Sequence, residues 1–137
     1  MLACAIVFSF SASAQILNAA KVPAVVKASF TKQFPVAKDV TWEKKGVTYE
    51  VGLKNKTQVM TVILDPKGKL LESQTALENK AIPAVIVKYV KSKFKGKGII
   101  GAVKVVAGTK MTYEVMIESG KKLIFDCQGN FISAAKF

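Results

Sequence analysis

The chain has 137 residues, of which 50% are hydrophobic, and its 21 lysines against nine acidic residues give a net charge of +12. It contains neither His nor Arg. Without His, the commonest general base and metal ligand is missing, which excludes the usual catalytic triads and zinc sites. Without Arg, specific nucleic-acid recognition is not expected, because bidentate contacts to phosphates and guanine edges favour its planar fork of donors. The scattered lysines are typical of a charged, solvated surface, and attraction to anionic polymers is the alternative.

Residues 1–14 have the pattern of a signal peptide. Met1 to Phe10 is almost continuously apolar, and Ser11 to Ala14 supplies the small residues that a signal peptidase recognises. The pattern predicts export to the periplasm or the extracellular space, with Gln15 as the mature N-terminus. No Lys or Arg precedes the apolar run, so a buried core helix is the alternative interpretation. No stretch reaches the roughly 20 apolar residues of a membrane span, and no transmembrane segment is predicted.

Removal of residues 1–14 leaves Cys127 as the single cysteine, because Cys4 lies within the apolar run. One cysteine cannot form an intramolecular disulfide, so the core must hold the exported domain together. An intermolecular disulfide through Cys127 stays open as an alternative to an inert thiol.

The first structural unit is predicted over residues 22–73, after a flexible lead-in over residues 15–21. Pro23 suits the first turn of a helix, where its missing N–H is not needed. Val26, Phe30 and Phe34 recur at helical spacing and form one apolar stripe. From residue 40 the apolar residues alternate with polar ones, which predicts strands with one buried face that includes Trp42 and Tyr49. The turns between these strands are predicted at Lys45-Gly46, Asn55-Lys56 and Asp65 to Gly68.

A second unit over residues 82–137 repeats this plan after a connector over residues 74–81. The repeated segments are Val22-Pro23-Ala24-Val25-Val26 and Ile82-Pro83-Ala84-Val85-Ile86, Thr48-Tyr49-Glu50-Val51 and Thr112-Tyr113-Glu114-Val115, and Asp65 to Gly68 and Asp126 to Gly129. The helix positions are offset by 60 and the Tyr-Glu-Val positions by 64, which places a small insertion at Gly96-Lys97-Gly98.

Two copies of one unit complete each other's apolar faces in a single globular domain. The predicted fold is therefore α+β, with two tandem helix-plus-antiparallel-strand repeats and both helices packed on one face of an antiparallel sheet. The other face of the sheet is left free.

Several of these segments together resemble a known family. They are Val-Pro-x-x-Val at a helix start, Phe-Pro near its end, a Trp-Glu strand, a Tyr-Glu-Val strand and Asp-x-x-Gly-x-Leu. From Val22 to about Ala134, the chain resembles the PepSY-like, beta-lactamase-inhibitor-like domains of exported bacterial proteins. The resemblance implies a curved antiparallel sheet, and related domains include inhibitors that press the sheet onto an enzyme and pro-segments that restrain proteases. No inhibitory residue carries over, because the matching positions are scaffold positions.

The carboxylates are the remaining candidates for acid–base chemistry. Glu50 and Glu114 fall in equivalent strands, and Asp65 and Asp126 fall in equivalent turns, so duplication explains them without chemistry. Each turn supplies one carboxylate, whereas calcium takes several oxygen ligands, and plain hairpin turns are the favoured interpretation. The sequence therefore predicts no catalytic residue, no metal site and no cofactor.

The free sheet face is the candidate binding surface. Its predicted contact residues are Glu50, Lys54, Glu114, Met116 and Glu118. Met116 is apolar among polar neighbours, which indicates a contact patch. The sequence thus predicts a noncatalytic, exported protein-binding module whose partner is another exported or envelope protein, and an inhibitor-like action through the sheet face stays open. The alternative function is lysine-driven electrostatic binding to anionic envelope polymers or lipid headgroups.

Overall fold

A computed structural model describes residues 15–137, and the predicted signal peptide, residues 1–14, lies outside them. Two helices, α1 (Ala24–Gln33) and α2 (Ala84–Lys93), each follow a short 3-10 turn. The strands are β1 (Gln15–Leu17), β2 (Ala37–Lys45), β3 (Thr48–Asn55), β4 (Gln58–Leu64), β5 (Leu70–Ala76), β6 (Ile99–Ala107), β7 (Lys110–Ile117), β8 (Lys121–Asp126) and β9 (Phe131–Lys136). Within residues 15–137, no helix is long and apolar enough to cross a membrane.

The nine strands form one antiparallel sheet in which they lie side by side in chain order. Helix α1 and strands β2 to β5 form the first repeat, and helix α2 and strands β6 to β9 form the second. This is the α+β tandem-repeat fold that the sequence predicts. Because β5 pairs with β6, the sheet runs without a break across the two repeats.

Each helix packs the same stripe of residues onto the sheet. Val26 and Phe30 of α1 are buried, as are their counterparts Ile86 and Val90 of α2. The helices begin one residue after Pro23 and Pro83, whose fixed φ suits a helix start. The predicted apolar stripe is confirmed at these positions.

The two copies do not complete each other's apolar faces, contrary to the prediction, because each repeat has its own hydrophobic core under its helix. In the first core, Trp42 and Tyr49 are 6% and 7% exposed, as the alternation in β2 and β3 predicts. The residues of the first core are Val22, Val26, Phe30, Trp42, Tyr49, Val51, Leu53, Val62 and Leu64. The residues of the second core are Ile82, Ile86, Val90, Ala102, Val115, Ile117, Leu123 and Phe125.

The Asp-x-x-Gly segments are turns that dock against the helices. Oδ1 of Asp65 accepts hydrogen bonds of 2.9 Å from the backbone N–H groups of Lys67 and Lys69. Gly68 has φ +86°, and a Cβ atom there would lie 2.9 Å from the carbonyl oxygen of Val25 in α1. Only glycine combines this left-handed conformation with so close an approach. The segments therefore have a structural role.

Residues 15–21 differ from the predicted flexible lead-in. Gln15 to Leu17 form strand β1, which pairs with residues 42–44 of β2. In the second repeat the strand equivalent to β2 is β6, and it pairs with β5. Thr75 of β5 lies opposite Lys104, just as Gln15 of β1 lies opposite Lys44. A three-residue strand has too little alternation to be recognised from sequence, and its partner strand determines its conformation. Similarly, β5 extends to Ala76, into the predicted connector over residues 74–81.

The predicted insertion at Gly96-Lys97-Gly98 is wrong. The offset of 60 persists through this loop, since Lys44 and Lys104 occupy equivalent positions in the pairing just described. The extra residues instead lengthen the β6–β7 hairpin, in which Val105 pairs with Thr112 and Val106 pairs with Met111. Two residues added to each strand preserve the alternation of faces, so the hairpin grows without exchanging its buried and exposed sides.

Candidate partner-binding face

The helix-free side of the sheet, here called the outer face, is the candidate site. Val51 and Leu53 of β3 are buried beneath α1, so the alternating side chains between and beside them project to the other side. The outer face defined by this alternation and by strand register comprises Thr41, Glu43, Glu50, Gly52, Lys54, Val59, Thr61, Ile63, Glu72, Gln74, Ala76, Val103, Val105, Thr112, Glu114, Met116, Lys122 and Ile124.

Apolar side chains run across the middle of the outer face. Val59 of β4 lies beside Ala76 of β5, since Met60 pairs with Thr75, and Ala76 in turn pairs with Val103 of β6. Val59 is 52% exposed and Val103 is half-buried. This apolar row crosses the junction between the two repeats, which gives the face a hydrophobic centre.

The extended β6–β7 hairpin adds to this centre. Val105 is only 9% exposed although it belongs to neither hydrophobic core. Its register places it between Gln74 and Thr112 on the outer face, so neighbours on that face cover most of its surface. The structure thus adds a partly covered Val to the open side of the sheet.

Charged residues flank the apolar centre and largely neutralise one another. The carboxylate of Glu50 lies 2.7 Å from Nζ of Lys45, and that of Glu114 lies 3.3 Å from Nζ of Lys122. The hydrogen bond to Glu50 raises the pKa of the Lys45 ammonium. Glu43 lies directly opposite Glu50, and the Lys45 charge offsets the repulsion expected between them. The outer face therefore presents charges of both signs.

Four of the predicted contact residues, Glu50, Lys54, Glu114 and Met116, lie on the outer face. The methyl carbon of Met116 lies 3.0 Å from where a Cβ atom of Gly101 would stand, so this side chain covers the backbone of β6. Lys54 pairs with Asp39 at 3.7 Å, at the end of the face. The structure places these residues on one face but in two strands, β3 and β7, with three strands between them, and their contact with a partner stays a prediction.

Glu118, the fifth predicted contact residue, lies at the margin of the outer face, where its counterpart in the first repeat is Lys54. It follows the end of β7, and its carboxylate accepts a 3.0 Å hydrogen bond from the backbone N–H of Gly98. Its own backbone N–H donates to the carbonyl of Gly98. Glu118 therefore holds the loop before β6 at this margin of the face, and its contact with a partner stays a prediction.

Sequence reasoning missed six apolar residues of the outer face, namely Val59, Ile63, Ala76, Val103, Val105 and Ile124. Ile63 and Ile124 stand between buried residues in continuous apolar runs, where alternation gives no signal. Their equivalence in the two repeats, at an offset of 61, was an available signal.

A groove of about 420 Å³ adjoins the outer face at the junction of the repeats. Val59 and Ala76 of the apolar row line it, together with Thr57, Glu78 and Lys80 from the β3–β4 turn and the segment before α2. A loop of a bound protein that crosses the outer face would meet this groove at its edge.

The helix side of the molecule has a different charge character. Helix α1 carries Lys27 and Lys32, helix α2 carries Lys88, Lys91 and Lys93, and neither helix carries an acidic residue. The outer face, by contrast, has Glu43, Glu50, Glu72 and Glu114 on its strands. The two sides of the sheet thus differ in charge.

Other chemical groups do not assemble into a site in the part of the chain that the structure describes. Over residues 15–137, no three His, Cys, Asp or Glu residues are grouped closely enough to hold a metal ion. Cys127 is exposed in the turn between β8 and β9.

The tandem repeat, the single sheet and the two helices on one side define a class of small α+β repeat proteins. Within that class, the chain belongs to the family described as "Putative beta-lactamase-inhibitor-like, PepSY-like", which matches residues 11–72 and again residues 65–133.

Solved structures share the fold at low sequence identity. A BLIP-like protein from Bacteroides fragilis is 20% identical, with a TM-score of 0.73 over 83% of this chain and 85% of that one. A DUF2874 family protein from Bacteroides uniformis is 18% identical, with a TM-score of 0.76 over 83% and 88%. A protein from Bacteroides eggerthii described as "putative periplasmic" is 15% identical, with a TM-score of 0.75 over 84% and 88%. No curated protein sequence matches the chain.

Proposed function

We propose that this protein is a noncatalytic, exported module that binds another exported or envelope protein through its outer face. The observation that carries the proposal is the apolar row Val59–Ala76–Val103 at the centre of a helix-free sheet, with Glu and Lys residues on both sides. An apolar centre within a polar rim is the usual anatomy of a protein–protein interface.

The size and rigidity of the sheet support the same proposal. An interface of standard size covers about 800 Å² on each partner, which a sheet of nine strands can provide. Strand residues are held by ladders on both sides and need little ordering on binding, which limits the entropic cost of association. The similar fold of a BLIP-like protein supports an inhibitor-like mode, in which the partner is an enzyme that the sheet covers.

Export rests on the signal-peptide pattern of residues 1–14 and on the likeness to a protein described as "putative periplasmic". The absence of His supports the noncatalytic part of the proposal, together with the equivalent structural positions of Glu50 and Glu114 in the two repeats.

The second candidate function is electrostatic binding to anionic envelope polymers or lipid headgroups. It is favoured by the helix side, where five lysines on α1 and α2 face no acidic residue of either helix. Such binding weakens with salt, because the Debye length falls to about 3 Å at 1 M ionic strength. An interface with an apolar centre loses much less affinity at high salt.

The test is capture of a partner from the envelope of the producing organism on the immobilised protein, washed at low salt and at 1 M NaCl. We expect one protein to remain in stoichiometric amount at 1 M NaCl, and to be lost when Met116→Lys or Val103→Lys places a charge on the outer face. Lys88→Gln on α2 is the matched control and should retain the partner. Elution of all bound material by salt, or equal retention by the outer-face variants, would refute the proposal and favour the electrostatic function.

A further inference from the structure

The second repeat contains a cavity of about 260 Å³ between α2, the 3-10 turn before it and the start of β6. Ile82, Val87, Val90 and Ile99 form its apolar wall. Lys91 and Lys97 line its rim. Because the cavity lies on the helix side of the sheet, it is separate from the outer face.

The cavity coincides with missing aromatic volume. In the first repeat the position of Val90 is occupied by Phe30, whose ring centroid lies 5.2 Å from that of Trp42. The second repeat has Val90 and Ala102 at these two positions, with the same offset of 60. Two rings that fill this end of the first core therefore have no counterpart in the second.

The lining also differs from the first repeat in chemical character. Val87 replaces Lys27, Ile99 replaces Asp39 and Lys91 replaces Thr31 at equivalent positions. The wall has thus become apolar while the rim has gained positive charge. Within residues 15–137, neither Lys91 nor Lys97 takes part in a salt bridge. The carboxylate of Glu118 accepts the backbone N–H of Gly98, which also lines the cavity.

We propose that this cavity binds a small amphipathic carboxylate, with its hydrocarbon chain against Val87, Val90 and Ile99 and its carboxylate between Lys91 and Lys97. A cavity of about 150 Å³ holds benzene, so this one has room for about ten non-hydrogen atoms. A saturated fatty acid of about eight carbons has that size. Its negative charge matches the two ammonium groups, and burial of its chain supplies the favourable free energy.

Octanoate is the probe, titrated into the isotopically labelled full-length protein below its micelle concentration and followed by amide chemical shifts. We expect saturable binding at one site, with the largest shifts at Val90, Gly98 and Ile99. Octanol lacks the charge and should bind about fivefold more weakly, as expected for two solvent-exposed ion pairs. Acetate lacks the chain and should produce no saturable shifts at these residues.

Two variants test the cavity by copying residues of the first repeat. Val90→Phe places in the cavity the residue that stands at this position in α1, and should reduce octanoate affinity at least tenfold. If that variant fails to fold, Ile99→Asp places the carboxylate of Asp39 at the equivalent position and should weaken binding to a similar degree. Lys91→Gln with Lys97→Gln should weaken it about fivefold.

The matched control is Lys27→Gln with Lys32→Gln on α1, which makes the same change in charge and should leave octanoate affinity unchanged. The proposal is overturned if the folded protein shows no saturable binding at millimolar octanoate. It is equally overturned if folded Val90→Phe and Ile99→Asp bind as the unsubstituted protein does, or if the shifts are centred on the first repeat.

Discussion

The two repeats share a backbone plan but place their aromatic residues at different positions under the helix. In the first repeat Phe30 and Trp42 form an edge-to-face pair under α1. In the second, Tyr89 stacks on Phe131 with ring centroids 5.1 Å apart, and both rings contact Phe125. The corresponding positions of the other repeat hold smaller side chains in each case.

This difference shows which features determine the fold and which can vary. Both helices have the same pattern of buried and exposed residues, and both repeats have a bulge at the start of the first long strand. Both also dock an Asp-x-x-Gly turn against the helix. The core side chains differ between the repeats while the patterning is retained, which hydrophobic cores tolerate. The redistribution leaves the cavity beside Val90.

The largest expected effect comes from removing the aromatic pair of the first repeat. Trp42→Ala should destabilise the protein by about 3–5 kcal/mol, because it deletes a buried ring and leaves a cavity beside Phe30. Urea unfolding followed by circular dichroism measures the change. Thr41→Ala, at the exposed neighbouring position, is the control and should stay within about 0.5 kcal/mol. A loss below about 1 kcal/mol for Trp42→Ala would mean that the ring is not the anchor of this core.

The glycines of the docked turns should come next. Gly68→Ala places a Cβ atom 2.9 Å from the backbone carbonyl of Val25, whereas Gly108→Ala meets nothing within 4 Å although its φ is also positive. A left-handed conformation alone costs about 1–2 kcal/mol, so Gly68→Ala should exceed Gly108→Ala by a further kcal/mol or more. Thermal unfolding of both variants measures the two losses of stability. Equal losses for the two variants would show that the turn does not dock tightly on α1.

Gly129→Ala sharpens the comparison between the repeats. Its Cβ atom would clash with a methyl carbon of Val85, an exposed side chain that can rotate. We therefore expect a smaller loss than for Gly68→Ala, where the opposing atom belongs to the backbone. A larger loss for Gly129→Ala would show that the side chain of Val85 is as firmly held as the backbone of α1.

The smallest effect concerns the turn aspartate of the second repeat. The backbone N–H of Asn130, followed by its side-chain amide, lowers the pKa of Asp126 below its ordinary value of about 3.9. A folded-state pKa below the unfolded one contributes stability that is fully present above the unfolded pKa. That contribution is lost as the pH falls through the folded pKa.

Asn130→Ala removes the amide contact and keeps the backbone bond, so the pKa of Asp126 should rise part of the way towards its ordinary value. The carboxyl carbon shift of Asp126, followed by NMR between pH 2 and 6, measures it. An unchanged titration midpoint in this variant would contradict the role given to the amide. The first repeat has Lys69 at this position, so this contact belongs to the second repeat alone.

Most of the fold could be predicted from the sequence because it depends on repeated local signals. The spacing of Val26, Phe30 and Phe34 and the alternation in β3 specify the elements. Strand β1 and the end of β5 could not be predicted, because pairing with a neighbouring strand orders them. The bulge in β2 could not be predicted either, because Asp39 adopts a positive φ of 52° at a position where no glycine signals it.

The candidate site could be predicted only in part. Alternation placed Glu50 and Met116 on the outer face, but it could not show that the carboxylate of Glu118, just beyond the end of β7, holds the loop at Gly98. Alternation could not assign Val103 to the outer face, because its strand carries apolar residues on both faces. The cavity beside Val90 depends on volumes that meet in three dimensions, and only a comparison of the two repeats position by position points towards it.

The central claim is that the protein binds its partner through the outer face. A photo-crosslinking amino acid at Thr61, in the middle of that face, tests it most directly when the protein is expressed in the producing organism and irradiated. The same group at Lys88 on α2 is the control. We predict one discrete crosslinked protein from position 61 and none from position 88. Crosslinking from position 88 alone, or from neither position, would contradict the account.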